Sequence, residues 1–83
     1  QRPADLAAAD TRFAEAIELS TNDERKAVFY LHRAEIQAEL GHCDAAARHL
    51  DAAEDLASHV PTTKATFDAF LGEAQAVVAA CQD

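Results

Sequence analysis

Apolar side chains recur every three or four residues along most of this chain, which is the spacing of one face of an α-helix. The first run with this spacing consists of Leu6, Ala9, Phe13, Ala16, Ile17 and Leu19. Pro3 suits a first helical position, because the amide hydrogen it lacks would be unpaired there in any case. We therefore expect a first helix from Pro3 to about Ser20, with these apolar residues turned inward.

A second helix is predicted from near Asn22, because Thr21 precedes Glu24 by the three residues of a capping pair. Gly41 supplies its left-handed stop. One apolar stripe of this helix contains Ala27, Tyr30, Leu31, Ala34 and Ala38, and a second contains Phe29, Ile36 and Leu40. Two stripes predict neighbouring helices on two sides.

Two further helices complete the pattern. The third is expected from about Cys43 to Ser58, with Ala46, Leu50, Ala53, Leu56 and Ala57 inward. Pro61 interrupts the chain, and the fourth is expected from about Thr62 to Cys81, with a core face of Phe67, Phe70, Leu71, Ala74, Val77 and Val78. The fold class is therefore all-α.

The second half of the chain repeats the first. An offset of 38 positions aligns Phe29 with Phe67, Glu35 with Glu73 and Cys43 with Cys81. Residues 1–83 are therefore expected to form a single domain of two units, about 4–41 and 42–81. Such a repeat predicts two stacked antiparallel helical hairpins.

The segment from Ala27 to Ser58 resembles the tetratricopeptide repeat. The residues that match the aromatic, small, glycine and leucine positions of that motif are Tyr30, Ala34, Gly41, Ala46, Leu50, Ala53 and Leu56. The resemblance implies a solenoid fragment whose small residues let helix axes approach closely. The alternative is a compact antiparallel four-helix bundle.

The family's binding groove is lined by the first helix of each repeat, so the resemblance implies a site for a protein or peptide on helix two. The corresponding residues are Val28, Leu31, Glu35, Ala38 and Glu39. These residues mix apolar and acidic side chains, which favours a partner with basic anchors. The alternative for Val28 and Leu31 is that both belong to the core.

Helix four is apolar almost all round beyond Glu73. Because such a helix needs cover on more than one side, we expect a face that includes Val77 to pack on another chain, either a second copy or a different protein. The alternative is that exposed alanines are tolerated in water.

Charge narrows the range of partners. The chain has 7 Lys and Arg residues against 15 Asp and Glu residues, a net charge of −8. This balance argues against nucleic acid and anionic membranes, since both attract clustered cations. No run of residues approaches the roughly 18 apolar residues of a membrane span.

The two cysteines leave two interpretations open. Cys43 opens helix three and Cys81 closes helix four, so a disulfide is feasible if these ends are neighbours. Equivalent positions on stacked hairpins lie roughly 9 to 10 Å apart at the helix axes, which favours two buried thiols instead. A bridge would indicate a periplasmic or secreted protein, and free thiols a cytoplasmic one.

Metal or enzyme chemistry has little support in the sequence. Glu39 and His42 have the Glu-x-x-His spacing of di-iron bundles, but Gly41 breaks the helix between them. No catalytic motif or phosphate-binding loop is present. We therefore expect no cofactor and a non-enzymatic interaction module, with a metal-binding or redox four-helix protein as the alternative.

Overall fold

The computed structural model describes residues 2–59 and 64–83. These residues form four helices, α1 (Pro3–Leu19), α2 (Asp23–Glu39), α3 (Cys43–Ser58) and α4 (Lys64–Gln82). The all-α prediction is confirmed, and the ends of α1, α2 and α3 fall within two residues of their predicted positions. The predicted interruption at Pro61 and the start of the last helix near Thr62 lie outside the described residues.

The start of α2 is capped one residue later than predicted. The side-chain Oδ1 of Asn22 accepts a hydrogen bond from the backbone N–H of Arg25 at 3.0 Å. Ser20 Oγ accepts from the Asn22 N–H at 3.2 Å and so fixes the turn before the cap. The expected Thr21–Glu24 capping pair is therefore wrong, because asparagine occupies the cap position and is at least as good a cap as threonine.

The end of α2 confirms the predicted glycine stop. Gly41 has a φ of 84°, the left-handed conformation that residues with a Cβ adopt at a cost. The His42 N–H bonds the Gln37 carbonyl at 2.8 Å, and the Gly41 N–H bonds the Ala38 carbonyl at 3.0 Å. This pair of bonds satisfies carbonyls that the helix end leaves open and turns the chain into α3.

The central element is α2, which packs against α3 and α4 on one side and α1 on the other. Consecutive helices run antiparallel and form the predicted hairpins. Within the described residues, no Cα atom of α1 comes within 8 Å of α3 or α4. The two apolar stripes of α2 therefore serve different neighbours, as predicted.

The core between α2, α3 and α4 is built largely from alanine. One cluster contains Ala27, Leu31, Ala53, Phe67 and Ala74, and the other contains Ala34, Ala38, Ala46 and Val78. Five of these alanines are completely buried, namely Ala27, Ala34, Ala46, Ala53 and Ala74. Small side chains at these positions let the helix axes approach closely, and the larger Leu31, Phe67 and Val78 fill the remaining space.

A charged link fixes α1 to α2 in a way that the sequence pattern does not reveal. Asp10 lies between the buried Leu6 and Ile17 and is itself only 9% exposed. Its carboxylate accepts bonds from Arg33 Nε at 2.9 Å and Nη2 at 3.1 Å, and from Gln37 Nε2 at 3.0 Å. Burial raises the pKa of Asp10, but the hydrogen bonds and charge of Arg33 outweigh it and hold the pKa below its ordinary value.

A disulfide joins the start of α3 to the end of α4. The sulfur atoms of Cys43 and Cys81 lie at bonding distance, and the two Cα atoms are 5.6 Å apart. The bridge interpretation of the two cysteines is thus supported over the two free thiols. The distance argument against it is wrong because these residues sit at helix ends, where the antiparallel α3 and α4 come together.

Replacing both cysteines with alanine should lower the free energy of unfolding by about 3 to 4 kcal/mol, because the bridge spans a sequence separation of 38 and restricts the unfolded chain. Urea denaturation of the oxidised proteins measures the change. Reductant should shift the midpoint of the wild-type chain and leave the Cys43→Ala/Cys81→Ala variant unaffected. Equal urea midpoints for the disulfide-bonded wild-type chain and the double alanine variant would contradict a stabilising bridge.

Asp10→Asn should lower the free energy of unfolding by about 1 to 3 kcal/mol, since it leaves the half-buried Arg33 without its carboxylate. The matched control is Asp5→Asn on the same helix, where the pair with Arg2 is exposed and 3.8 Å long. The control should change stability by less than about 1 kcal/mol. Similar losses in the two variants, measured by urea denaturation, would show that Asp10 has no special role.

Candidate functional site on α2

One face of α2 lies between α1 and α4 and holds several of the residues predicted to bind a partner. We define this His32 face by Val28, His32, Glu35 and Glu39. Val28, His32 and Glu35 are half-buried and Glu39 is exposed. The face therefore combines apolar, aromatic and acidic groups at the surface of the most central helix.

His32 connects α1 and α4 by ring contacts. Its imidazole stacks on Phe13 of α1, with ring centroids 5.1 Å apart, and meets the Phe70 ring of α4 edge-on at 5.6 Å. Phe13 also contacts Phe29, at 5.9 Å. Burial lowers the pKa of His32, and the negative charge of Glu73 partly opposes this effect. The neutral ring is therefore the form that suits the folded chain.

Carboxylates from two helices gather beside His32. Burial raises the pKa of Glu35, and the negative charges of Glu73 and Glu39 raise it further. Since like charges interact in this way only when they are close, α2 and α4 present their acidic groups to one region. The predicted residues Glu35 and Glu39 are thus brought together, with Glu73 as a third member.

A surface cavity lies toward the N-terminal end of α2. Its volume is about 300 Å³, and it is lined by Asn22, Glu24, Arg25, Val28 and Phe29. Val28 and Phe29 supply apolar surface, and the other three residues are polar. Val28 is a predicted partner-binding residue, whereas Phe29 was expected only on the second apolar stripe of α2.

Two of the predicted binding residues are part of the core. Leu31 is completely buried and Ala38 is 9% exposed. Both belong to the clusters that join α2 to α3 and α4. A partner cannot reach Leu31 without unfolding this region. Leu31 was predicted to line a binding groove, but it belongs to the core.

Val77 is only partly available on α4. It is half-buried and packs against the cluster of Ala34, Ala46 and Val78. Among residues 67–82 of α4, the exposed apolar side chains are Ala69, Ala76, Ala79 and Ala80, and the other exposed residues are polar or glycine. This part of α4 therefore exposes alanine rather than large apolar side chains.

The large apolar residue that is exposed in the described part of the chain is Leu19, at 84%. We expected Leu19 to point inward with the rest of α1, and this expectation is wrong. The inward residues Leu6, Phe13 and Ile17 are separated by seven and four positions, which keeps them on one face of the helix. Leu19 follows Ile17 by only two positions, so its side chain points about 200° away from that of Ile17. That spacing is the signal in the sequence that would have revealed its exposure.

The other histidines and the cysteines have local partners. A ring nitrogen of His42 lies 2.7 Å from Gln37 Oε1, and the His49 ring stacks on Tyr30 at 6.0 Å. The His59 ring contacts the backbone carbonyl of Asp55 rather than its carboxylate. Across residues 2–59 and 64–83, no three His, Cys, Asp or Glu side chains are grouped to hold a metal ion.

No protein-family model, curated protein or solved structure matches this chain. Within the described ranges, no helix has the length and apolar character needed to cross a membrane.

Stability should fall as the pH is lowered from about 7 to about 5. Folding lowers the pKa values of His32 and His49, in both cases mainly through burial. As the pH falls below about 6.5, the ordinary pKa of histidine, the unfolded chain therefore takes up protons before the folded chain does, and this favours unfolding. His32→Phe should reduce the fall in the urea midpoint, because phenylalanine keeps the ring contacts and cannot be protonated.

Glu35→Gln provides a control of opposite sign. The pKa of Glu35 is raised, so this residue contributes stability at low pH that is lost as the pH rises through its folded pKa. Removing it should make the fall toward about pH 5 steeper. An unchanged pH dependence in His32→Phe would contradict the role given to the buried ring.

Proposed function

We propose that this chain is a non-enzymatic protein-interaction module, similar in arrangement to tetratricopeptide repeats, that binds a protein, a peptide or another copy of itself on the His32 face. The observation that carries the proposal is the cavity of about 300 Å³ beside Val28 and Phe29 on the central helix. A cavity with apolar residues and a polar rim is a typical receptor for an apolar anchor.

The helix arrangement supports this proposal. α2 contacts α1, α3 and α4, while α1 approaches neither α3 nor α4 in the described residues. This separation of α1 from α3 and α4 supports the repeat-like alternative within a compact helical fold. Stacked repeats of this kind use the surface of their helices to bind extended partners.

Charge supports a partner that brings cations to one end of the face. Glu35, Glu39 and Glu73 lie close enough for their charges to interact, and the whole chain carries a net charge of −8. A basic side chain of a partner would relieve the repulsion among these carboxylates. Complementary charge of this kind mainly favours the correct partner and speeds its association.

The disulfide supports an oxidising location for this activity. Bridges such as the one between Cys43 and Cys81 persist in secreted and periplasmic proteins and are rare in the cytosol. A small interaction domain outside the cytosol gains from such a bridge, because its own core is limited.

Val28→Asp should weaken capture of partner polypeptides by the immobilised chain at least tenfold, because it places a charge in the apolar part of the cavity. Quantitative mass spectrometry of proteins retained from an extract of the source cells, including the chain itself, measures this loss. Ala8→Asp on the exposed surface of α1 is the matched control and should retain capture.

Val28 is half-buried, so its variant must first be shown to be folded by circular dichroism and urea denaturation. Arg25→Glu, at an exposed position on the rim of the same cavity, provides a second test that leaves the core intact. If both folded variants retain the same polypeptides as the wild-type chain, the cavity is not the binding site and the proposal fails.

A further inference from the structure

An exposed leucine and an apolar cavity lie at the same end of the molecule. Leu19 ends α1 and is 84% exposed, whereas the cavity begins at Asn22, three residues further along the chain. Three residues span at most about 11 Å, so the leucine and the cavity are close neighbours. A cavity of this kind can bury an exposed leucine side chain such as that of Leu19.

The cavity is large enough for a branched aliphatic side chain. Its volume is about 300 Å³, and an apolar cavity of roughly 150 Å³ already admits a benzene molecule. Leu19 cannot fill the cavity of its own chain, because α1 ends at this residue and its side chain points into solvent. The leucine of another copy is free of this restriction.

We infer that the occupant of the cavity is a second copy of this chain, with Leu19 of each copy inserted beside Val28 and Phe29 of the other. This inference rests on the proposed function and names the partner. A two-fold axis next to the turn between α1 and α2 exchanges the two surfaces, so both contacts form at once and the assembly closes as a dimer. Because Leu19 and the cavity of both copies are then occupied, this contact does not propagate into a fibre.

The charges around the two surfaces are complementary. Glu18 precedes Leu19, and Arg25 lies on the rim of the cavity; both are exposed. Neither takes part in the ion pairs found within the described residues. When Leu19 enters the cavity of the other copy, the carboxylate of Glu18 approaches the Arg25 guanidinium of that copy. Lys26 at this end pairs with Asp23, and Glu24 also lines the cavity, so the attraction between the two copies depends on Glu18 and Arg25.

The area needed is compatible with the size of the chain. A stable interface covers roughly 800 Å² of each partner, which is about one sixth of the 5113 Å² surface of this molecule. The turn and the adjoining ends of α1 and α2 supply the contact surface around the leucine. Leu19 is then the apolar side chain buried at the centre of this contact.

Sedimentation equilibrium of the oxidised chain tests the inference directly. The wild-type chain should show twice its mass of 8.9 kDa, with a dissociation constant that Leu19→Asp raises at least tenfold. Because Leu19 is exposed, the variant should keep the urea midpoint of the folded monomer. Ala8→Asp is the control, since it adds the same charge to an exposed site on the same helix and should leave the dimer intact.

A charge exchange tests the orientation of the two copies. Glu18→Arg and Arg25→Glu should each weaken the dimer, and the chain that carries both changes should recover it, because the pair is then restored with opposite signs. A wild-type monomer at millimolar concentration, an equal effect of Leu19→Asp and Ala8→Asp, or no recovery in the double variant would overturn the inference.

The same measurements distinguish this inference from the proposed function. If the wild-type chain is a monomer but still captures other polypeptides in a way that depends on Val28, the second copy is excluded while the interaction module stands. If capture does not depend on Val28 or Arg25 and Leu19→Asp leaves a dimer unchanged, both are wrong.

Discussion

The burial of α2 from two sides is the constraint on which the rest of the structure depends. Ala27, Leu31 and Ala34 are completely buried toward α3 and α4, while Ile36 is buried on the second stripe, whose Phe29 meets Phe13 of α1. A helix covered on both sides fixes the positions of its neighbours. It also leaves α1 and α4 apart, so the remaining face of α2 lies between them, and His32 is the residue whose ring contacts both.

The outer helices α1 and α4 are each held by one specific polar or covalent link in addition to their apolar contacts. α1 is held by the Asp10–Arg33 pair, with Gln37 as a third partner, and α4 is held by the bridge from Cys43 to Cys81. A chain of 83 residues buries a small core, so such links contribute a large share of the free energy of unfolding. They also act at particular points, which alanine contacts do not, and they set the register of α1 against α2 and of α4 against α3.

The sequence predicts the helices well because their ends are marked by local chemistry. Pro3 and Gly41 lie where a start and a stop were expected, and the error at the α2 cap concerns only the choice between Thr21 and Asn22. The exposure of particular residues was harder to predict. Leu31 belongs to the core because α3 and α4 cover its side of α2, and Leu19 lies at the surface because it follows Ile17 by only two positions. The link from Asp10 to Arg33 joins residues 23 positions apart, and no local pattern reveals it.

The two halves of α2 differ in their balance of charge. In the N-terminal half, Arg25 and Lys26 offset Asp23 and Glu24, whereas the C-terminal half carries Glu35 and Glu39 against Arg33, with Glu73 of α4 nearby. Two identical chains of net charge −8 repel each other less at a balanced end of α2 than at an acidic one, so the inferred contact between copies is compatible with the cavity end. The acidic half then stays outside that contact, at a surface where its carboxylates remain solvated or meet a basic partner. In the proposed scheme, self-association and other binding use different parts of one helix, because apolar and acidic residues occupy different turns of the same face.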